Sequence, residues 1–152
     1  MRFLSQEEDQ VPLAAAQRES LIGACPLFTG LDESGLAAVS AAAVEVDFPA
    51  DRVIAREGEI GTGLFIIGGG RVRVMRDGQA IAHLGPGEFF GELSVLDGGP
   101  RNATVIADEP TTCLALATWD AERVLREQPG VALTVLRVLA RRLREATSDH
   151  RT

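Results

Sequence analysis

Between residues 44 and 117, glycine, proline and aspartate cut the chain into runs too short for packed helices. A helix of a globular domain needs about 10–12 residues of helical periodicity, whereas a strand needs only about 4–8. Val44-Glu45-Val46-Asp47-Phe48 alternates apolar with acidic residues and predicts a half-buried strand. Pro49-Ala50-Asp51 turns the chain into a strand over 53–56, and Gly58, Gly61 and Gly63 mark a loop. Leu64-Phe65-Ile66-Ile67 is apolar throughout, which predicts a buried strand broken by Gly68-Gly69-Gly70. Residues 71–76 alternate, with the arginines expected on one face. Asp77-Gly78 is the strongest hairpin signal in the chain, because both residue types tolerate positive φ. Residues 80–84 form the return strand, Gly85-Pro86-Gly87 turns again, and strands follow over 103–107 and Thr111–Ala117. Short strands at this spacing predict an antiparallel sandwich or roll.

Helical patterns flank this region. Residues 1–13 are polar and read as a flexible N-terminal arm, leaving 14–152 as one domain of ordinary size. Residues 17–24 predict one or two helical turns. A second helix runs to Ala43 with Asp32 or Thr29 as its N-cap, and Leu36, Val39 and Ala43 have helical spacing. Thr118 or Asp120 is placed to cap a helix to about Glu127, which Pro129-Gly130 interrupts. A last helix carries Ala132, Leu136, Leu139, Leu143 and Ala146, a heptad seam among Arg137, Arg141, Arg142 and Arg144.

Composition removes most chemistries. The 15 basic residues are all arginine, so P-loop and Schiff-base lysines are excluded. Against 22 acidic residues they leave a net charge of −7, the wrong sign for direct nucleic-acid binding. Two histidines (His83, His150) and two cysteines (Cys25, Cys113), with no C-x-x-C, cannot form a zinc pattern or a catalytic triad. No G-x-S-x-G elbow is present. Glu57, Glu59, Glu88 and Glu92 read as loop acids, and the cysteines as buried, inert thiols. The expectation is a non-enzymatic protein without metal or cofactor. The acidic N-terminus has no apolar signal region, and no apolar run approaches the ~18 residues of a membrane span. That predicts a cytoplasmic protein with reduced thiols and no membrane partner.

One segment remains. Gly91-Glu92-Leu93-Ser94-Val95-Leu96 predicts a helical turn opened by glycine and closed by Gly98-Gly99. Its first N–H groups lack intrahelical partners and form an anion site. Pro100 stiffens the approach to Arg101, whose planar fork suits a phosphate facing that turn. Glu92 would repel a phosphate unless it accepted from sugar hydroxyls, and phosphate plus ribose is a nucleotide. A structural Glu92–Arg101 ion pair over the turn explains the same residues equally well.

The segment closely resembles the phosphate-binding cassette of cyclic-nucleotide-binding domains, found in catabolite-activator-type bacterial regulators, cAMP-dependent kinase regulatory subunits and cyclic-nucleotide-gated channels. The family pattern F-G-E-L…P-R-x-A-T-V is met by Phe90, Gly91, Glu92, Leu93, Pro100, Arg101, Ala103, Thr104 and Val105. Glu57-Gly58-Glu59, Leu64-Phe65-Ile66-Ile67, Gly70-Arg71-Val72-Arg73-Val74 and Leu84-Gly85-Pro86-Gly87 extend the resemblance to roughly residues 25–145. It implies a mainly β fold: an eight-stranded antiparallel β-roll, jelly-roll-like, with short N-terminal helices and C-terminal helices. It implies ligand contacts at Gly91, Glu92, Leu93, Ser94, Arg101, Asn102 and Ala103, with Arg101 on the cyclic phosphate and Glu92 on the ribose 2′-OH. Family members usually carry Ala, Ser or Thr where this chain has Asn102, whose amide both donates and accepts. The ligand expected is cAMP, with cGMP as the alternative. The remaining expectations are a signalling receptor whose C-terminal helices move on binding, an effector protein that reads that movement, and a homodimer through the last helix. The rival readings are a degenerate roll that binds no nucleotide, a small β-roll enzyme, which the histidine count disfavours, and the sensor fragment of a larger regulator, since no helix-turn-helix follows the last helix.

Overall fold

The computed structural model describes residues 12–148 other than Thr62, and Leu93 through its backbone alone. Residues 1–11 of the expected arm and His150 lie outside the described residues. Two helices, α1 (Ala15–Ala24) and α2 (Glu33–Ala42), flank a single 3-10 turn at Pro26–Phe28. Of the two candidate caps for α2, Asp32 is the one used: its Oδ1 accepts from the Gly35 N–H at 2.8 Å.

Eight strands follow: β1 (Val44–Phe48), β2 (Val53–Ala55), β3 (Gly63–Gly69), β4 (Val72–Arg76), β5 (Gln79–Leu84), β6 (Phe89–Phe90), β7 (Thr104–Ala107) and β8 (Thr111–Ala117). They form two four-stranded antiparallel sheets, ordered β1-β8-β3-β6 and β2-β7-β4-β5. This is the expected eight-stranded roll with flanking helices. Asp77 (φ 53°) and Gly78 (φ 79°) join β4 to β5 with both central residues left-handed, the geometry whose twist suits a two-residue hairpin.

The first sheet explains why its central strands are apolar without alternation. Leu64, Ile66, Leu114 and Leu116 face the helices and join a core with Ile22, Val39, Val131 and Val135. Ile67 and Cys113, from the same two strands, face the roll interior with Val72, Phe90 and Val105. Both faces are buried, so both must be apolar. Burial also pushes the Cys25 thiol up to about 11 and the Cys113 thiol up to about 12, which keeps them protonated and unreactive.

Three local expectations are corrected. Gly68 and Gly69 stay in β3, which ends only after a register shift between Ile67 and Gly69. Neither Thr118 nor Asp120 caps a helix: α4 (Thr118–Glu127) starts after Ala117 with no side-chain cap, and the Thr118 hydroxyl is buried without a partner. Pro129-Gly130 does not precede the last helix but opens it, since α5 spans Pro129–Ser148. Proline fits a first helical position because its absent N–H is not needed there. A short helix, α3 (Glu92–Asp97), sits between β6 and β7.

The heptad seam on α5 is also corrected. The buried stripe is Val131, Val135 and Val138, and of the seam residues Leu139 alone packs against the core. Leu136 and Leu143 are 63% and 65% exposed.

Candidate functional site

A cleft of about 210 Å³ opens between the two sheets where α3 begins. Its polar end is made of Gly91, Glu92, Ser94, Arg101, Asn102 and Ala103, and its floor includes Val74, Leu84, Phe89 and Phe90. Six of the seven expected ligand residues therefore line one cavity. The seventh, Leu93, brings its backbone to the first turn of α3.

Arg101 is built into this cleft from several directions. Its backbone N–H donates to Glu59 O at 2.7 Å, and its carbonyl accepts from Gly58 N at 2.8 Å. The β2–β3 loop thus grips the residue as a strand would. The side chain turns inward, with Cζ 5.9 Å from the Phe65 ring centroid and Nη2 donating to Gly63 O at 2.8 Å. Nη1 is buried and has no hydrogen-bond partner. Burial lowers the Arg101 pKa from its ordinary value, and the charge of Glu92 opposes that shift. A buried cationic nitrogen without an acceptor is costly, and an anion in the cleft would relieve it.

Two glycines make room for that guanidinium. Gly91, at φ +92°, opens α3; a Cβ there would collide with Arg101 Nη1 and the Gly63 carbonyl. A Cβ on Gly61 would lie 2.5 Å from Arg101 Nε. Gly91 was legible as a helix opener. The role of Gly61 depends on a side chain forty positions away and had no local signal.

The Glu92–Arg101 ion pair, the structural alternative for this segment, does not form. Glu92 Oε2 instead lies 3.2 Å from Nη1 of Arg142 on α5. The Arg142 guanidinium also sits over the Phe89 ring, 4.5 Å from its centroid. Arg142 therefore ties the last helix to the carboxylate expected to meet the ribose. It continues the inward stripe Val131, Val135, Val138 by one more turn, a signal the heptad seam obscured. Asn102 is exposed, and its carbonyl accepts from Arg76 Nε at 3.0 Å. Arg76 was expected to share a face with Arg71 and Arg73. Alternation instead puts it beside Val74, and both line the cleft.

Among the described residues no group of three His, Cys, Asp or Glu could hold a metal ion, and no helix is long and apolar enough to cross a membrane.

A two-sheet roll with a buried, unpartnered arginine beside a helix start presents a cavity whose chemistry suits a small anionic ligand. The model of the cyclic nucleotide-binding domain matches residues 45–128, and the chain belongs to that family. It is 43% identical over 104 residues to the cyclic AMP receptor protein of Thermus thermophilus, covering 65% of this chain and 48% of that one. It is 36% identical over 141 residues to a CRP-like cAMP-activated global transcriptional regulator of Mycobacterium tuberculosis, covering 86% of this chain and 61% of that one. The chain thus spans about half to three-fifths of the length of these relatives. The crystal structure of the N-terminal domain of a transcriptional regulator from Streptomyces coelicolor superimposes with a TM-score of 0.77 at 35% identity, covering 87% of this chain and 96% of that domain.

Proposed function

We propose that this chain is a cytoplasmic cyclic-nucleotide receptor, regulatory rather than enzymatic, with cAMP as its ligand. The observation that carries the reading is Arg101 Nη1, buried and unpartnered at the polar end of the cleft. A cyclic phosphate would take this nitrogen together with the free N–H groups at the start of α3, including those of Leu93 and Ser94. Glu92 would accept from a ribose hydroxyl. The apolar floor would carry the base. Both of these relatives are named for cAMP, which favours that nucleotide.

The same contacts suggest the relay. Glu92 holds α5 through Arg142, so a ligand that hydrogen-bonds Glu92 acts on the attachment of that helix. An effector protein, or a further part of a larger regulator, would respond to the changed position of α5. The degenerate-roll reading is weaker, because the slot formed by Gly61 and Gly91 around Arg101 has no purpose in a roll that binds nothing.

Ligand linkage gives the direct test. At a free concentration 100 times the dissociation constant, cAMP stabilises the fold by about 2.7 kcal/mol. For a domain of this size that raises the melting temperature by roughly 5–10 °C. Differential scanning calorimetry with and without nucleotide measures it, and no shift at millimolar cAMP or cGMP overturns the receptor reading. Asn102→Ala gives a finer result. If the amide reads the base, the ratio of cAMP to cGMP affinities changes, which is the outcome expected. Equal losses, or none, remove the Asn102 side chain from any account of selectivity.

A further inference from the structure

We propose that Arg76 reads the purine base and lets this cleft accept cGMP as well as cAMP. The inference rests on the receptor reading above and specifies how the same site chooses its base.

The geometry starts from β4. Side chains two apart on a strand share a face, so Val74 and Arg76 point the same way, and both line the cleft. Nε of Arg76 is committed to the Asn102 carbonyl at 3.0 Å. That bond tethers the guanidinium of this exposed residue and leaves its two terminal nitrogens. Among the described residues no carboxylate pairs with them, although the chain carries a net charge of −7. Arg101, by contrast, lies at the α3 end of the cleft.

The two arginines serve different parts of a nucleotide. Arg76 stands beside Val74 on β4 and holds the Asn102 carbonyl, whereas Arg101 Nη1 faces Gly91 at the start of α3. With the phosphate on Arg101 and the sugar on Glu92, the moiety that extends over Val74 and Leu84 towards Arg76 is the base.

Base chemistry then decides what Arg76 prefers. Guanine offers two adjacent acceptors, O6 and N7, which match the paired donors of a guanidinium. Adenine offers N7 beside an amino donor, so an arginine gains one bond and faces an N–H group. An arginine at the base therefore supports guanine and contributes little to adenine. Such a fork is worth roughly tenfold or more in discrimination.

Calorimetric titrations of the wild-type chain and of Arg76→Ala with cAMP, cGMP and inosine 3′,5′-cyclic monophosphate test this. The inosine nucleotide keeps O6 and N7 but lacks the 2-amino group, which separates Arg76 from any contact of Asn102 with that amino group. The expected result is a loss of about tenfold or more for cGMP and the inosine nucleotide, with cAMP changed less than about threefold. Arg76→Lys supplies a point donor without the fork and should recover only part of the loss. Equal losses for all three nucleotides would make Arg76 a phosphate contact and overturn the proposal. Unchanged affinities would reduce it to a support for the Asn102 carbonyl and do the same. A wild-type chain that binds cAMP but shows either outcome defeats this inference alone, whereas one that binds no nucleotide defeats the receptor reading with it.

Discussion

Arg101→Ala is expected to weaken cAMP binding by roughly 30-fold to several-thousand-fold, the range for removing one partner of a buried, hydrogen-bonded charge pair, about 2–5 kcal/mol. The size follows from where the charge sits. Arg101 Nη1 is buried with no internal acceptor, while Nη2 is held on Gly63 O. The guanidinium is therefore already desolvated and aimed, and a phosphate arriving there meets a cation that needs no reorganisation. Without it, the phosphate would enter the end of the cleft that keeps the Glu92 carboxylate.

The fold should survive this substitution. The backbone bonds of Arg101 to Gly58 and Glu59 do not involve its side chain. The Gly63 carbonyl loses one donor, a loss on the order of 1 kcal/mol, so the melting temperature of the free protein should fall by only a few degrees. Arg101→Lys keeps the charge but not the fork and should bind between the two. Isothermal titration gives the affinities, and normal binding by Arg101→Ala would show that the phosphate lies elsewhere.

The strands of this fold were legible because their signals are local. Asp77-Gly78 states its own turn, and the unbroken run Leu64-Phe65-Ile66-Ile67 belongs to a strand covered on both faces. The candidate cleft drew on the same kind of signal: Gly91, Glu92, Ser94 and Arg101 to Ala103 are close in sequence and line one cavity. What was not legible comes from distant chain segments. Arg142 reaches Glu92 across fifty positions, and Arg76 reaches Asn102 across twenty-six. The alternation of β4 held the clue to Arg76, since residue 76 shares its parity with Val74 and not with Arg71 and Arg73. The last helix misled because two apolar stripes run along it. Leucine and alanine marked the outer one, and the less conspicuous valines marked the inner one.

That outer stripe sets the other large effect: the chain should be a dimer at micromolar concentration, and Leu136→Glu should make it a monomer. Leu133, Leu136 and Leu143 are 47%, 63% and 65% exposed in the single chain. Fully burying a leucine is worth about 1.5–3 kcal/mol, so pairing these faces across a two-fold axis, three residues per copy, gives a driving force that one short helix lacks alone. Arg137, Arg141 and Arg144 beside the stripe oppose it, because each would approach its own kind across the axis. Exposed Ile81 on β5 is a further apolar surface residue of the roll. The choice of Leu136 matters. Leu139 packs against the core of its own chain, so Leu139→Glu would unfold as well as dissociate and would say little about the interface. Leu136 is not among the residues that pack there, and its replacement should leave the circular dichroism spectrum unchanged while light scattering reports half the mass. A wild-type chain that is monomeric with and without cAMP would leave the outer stripe of α5 without a second copy to cover it. A Leu136→Glu dimer would move the interface away from α5.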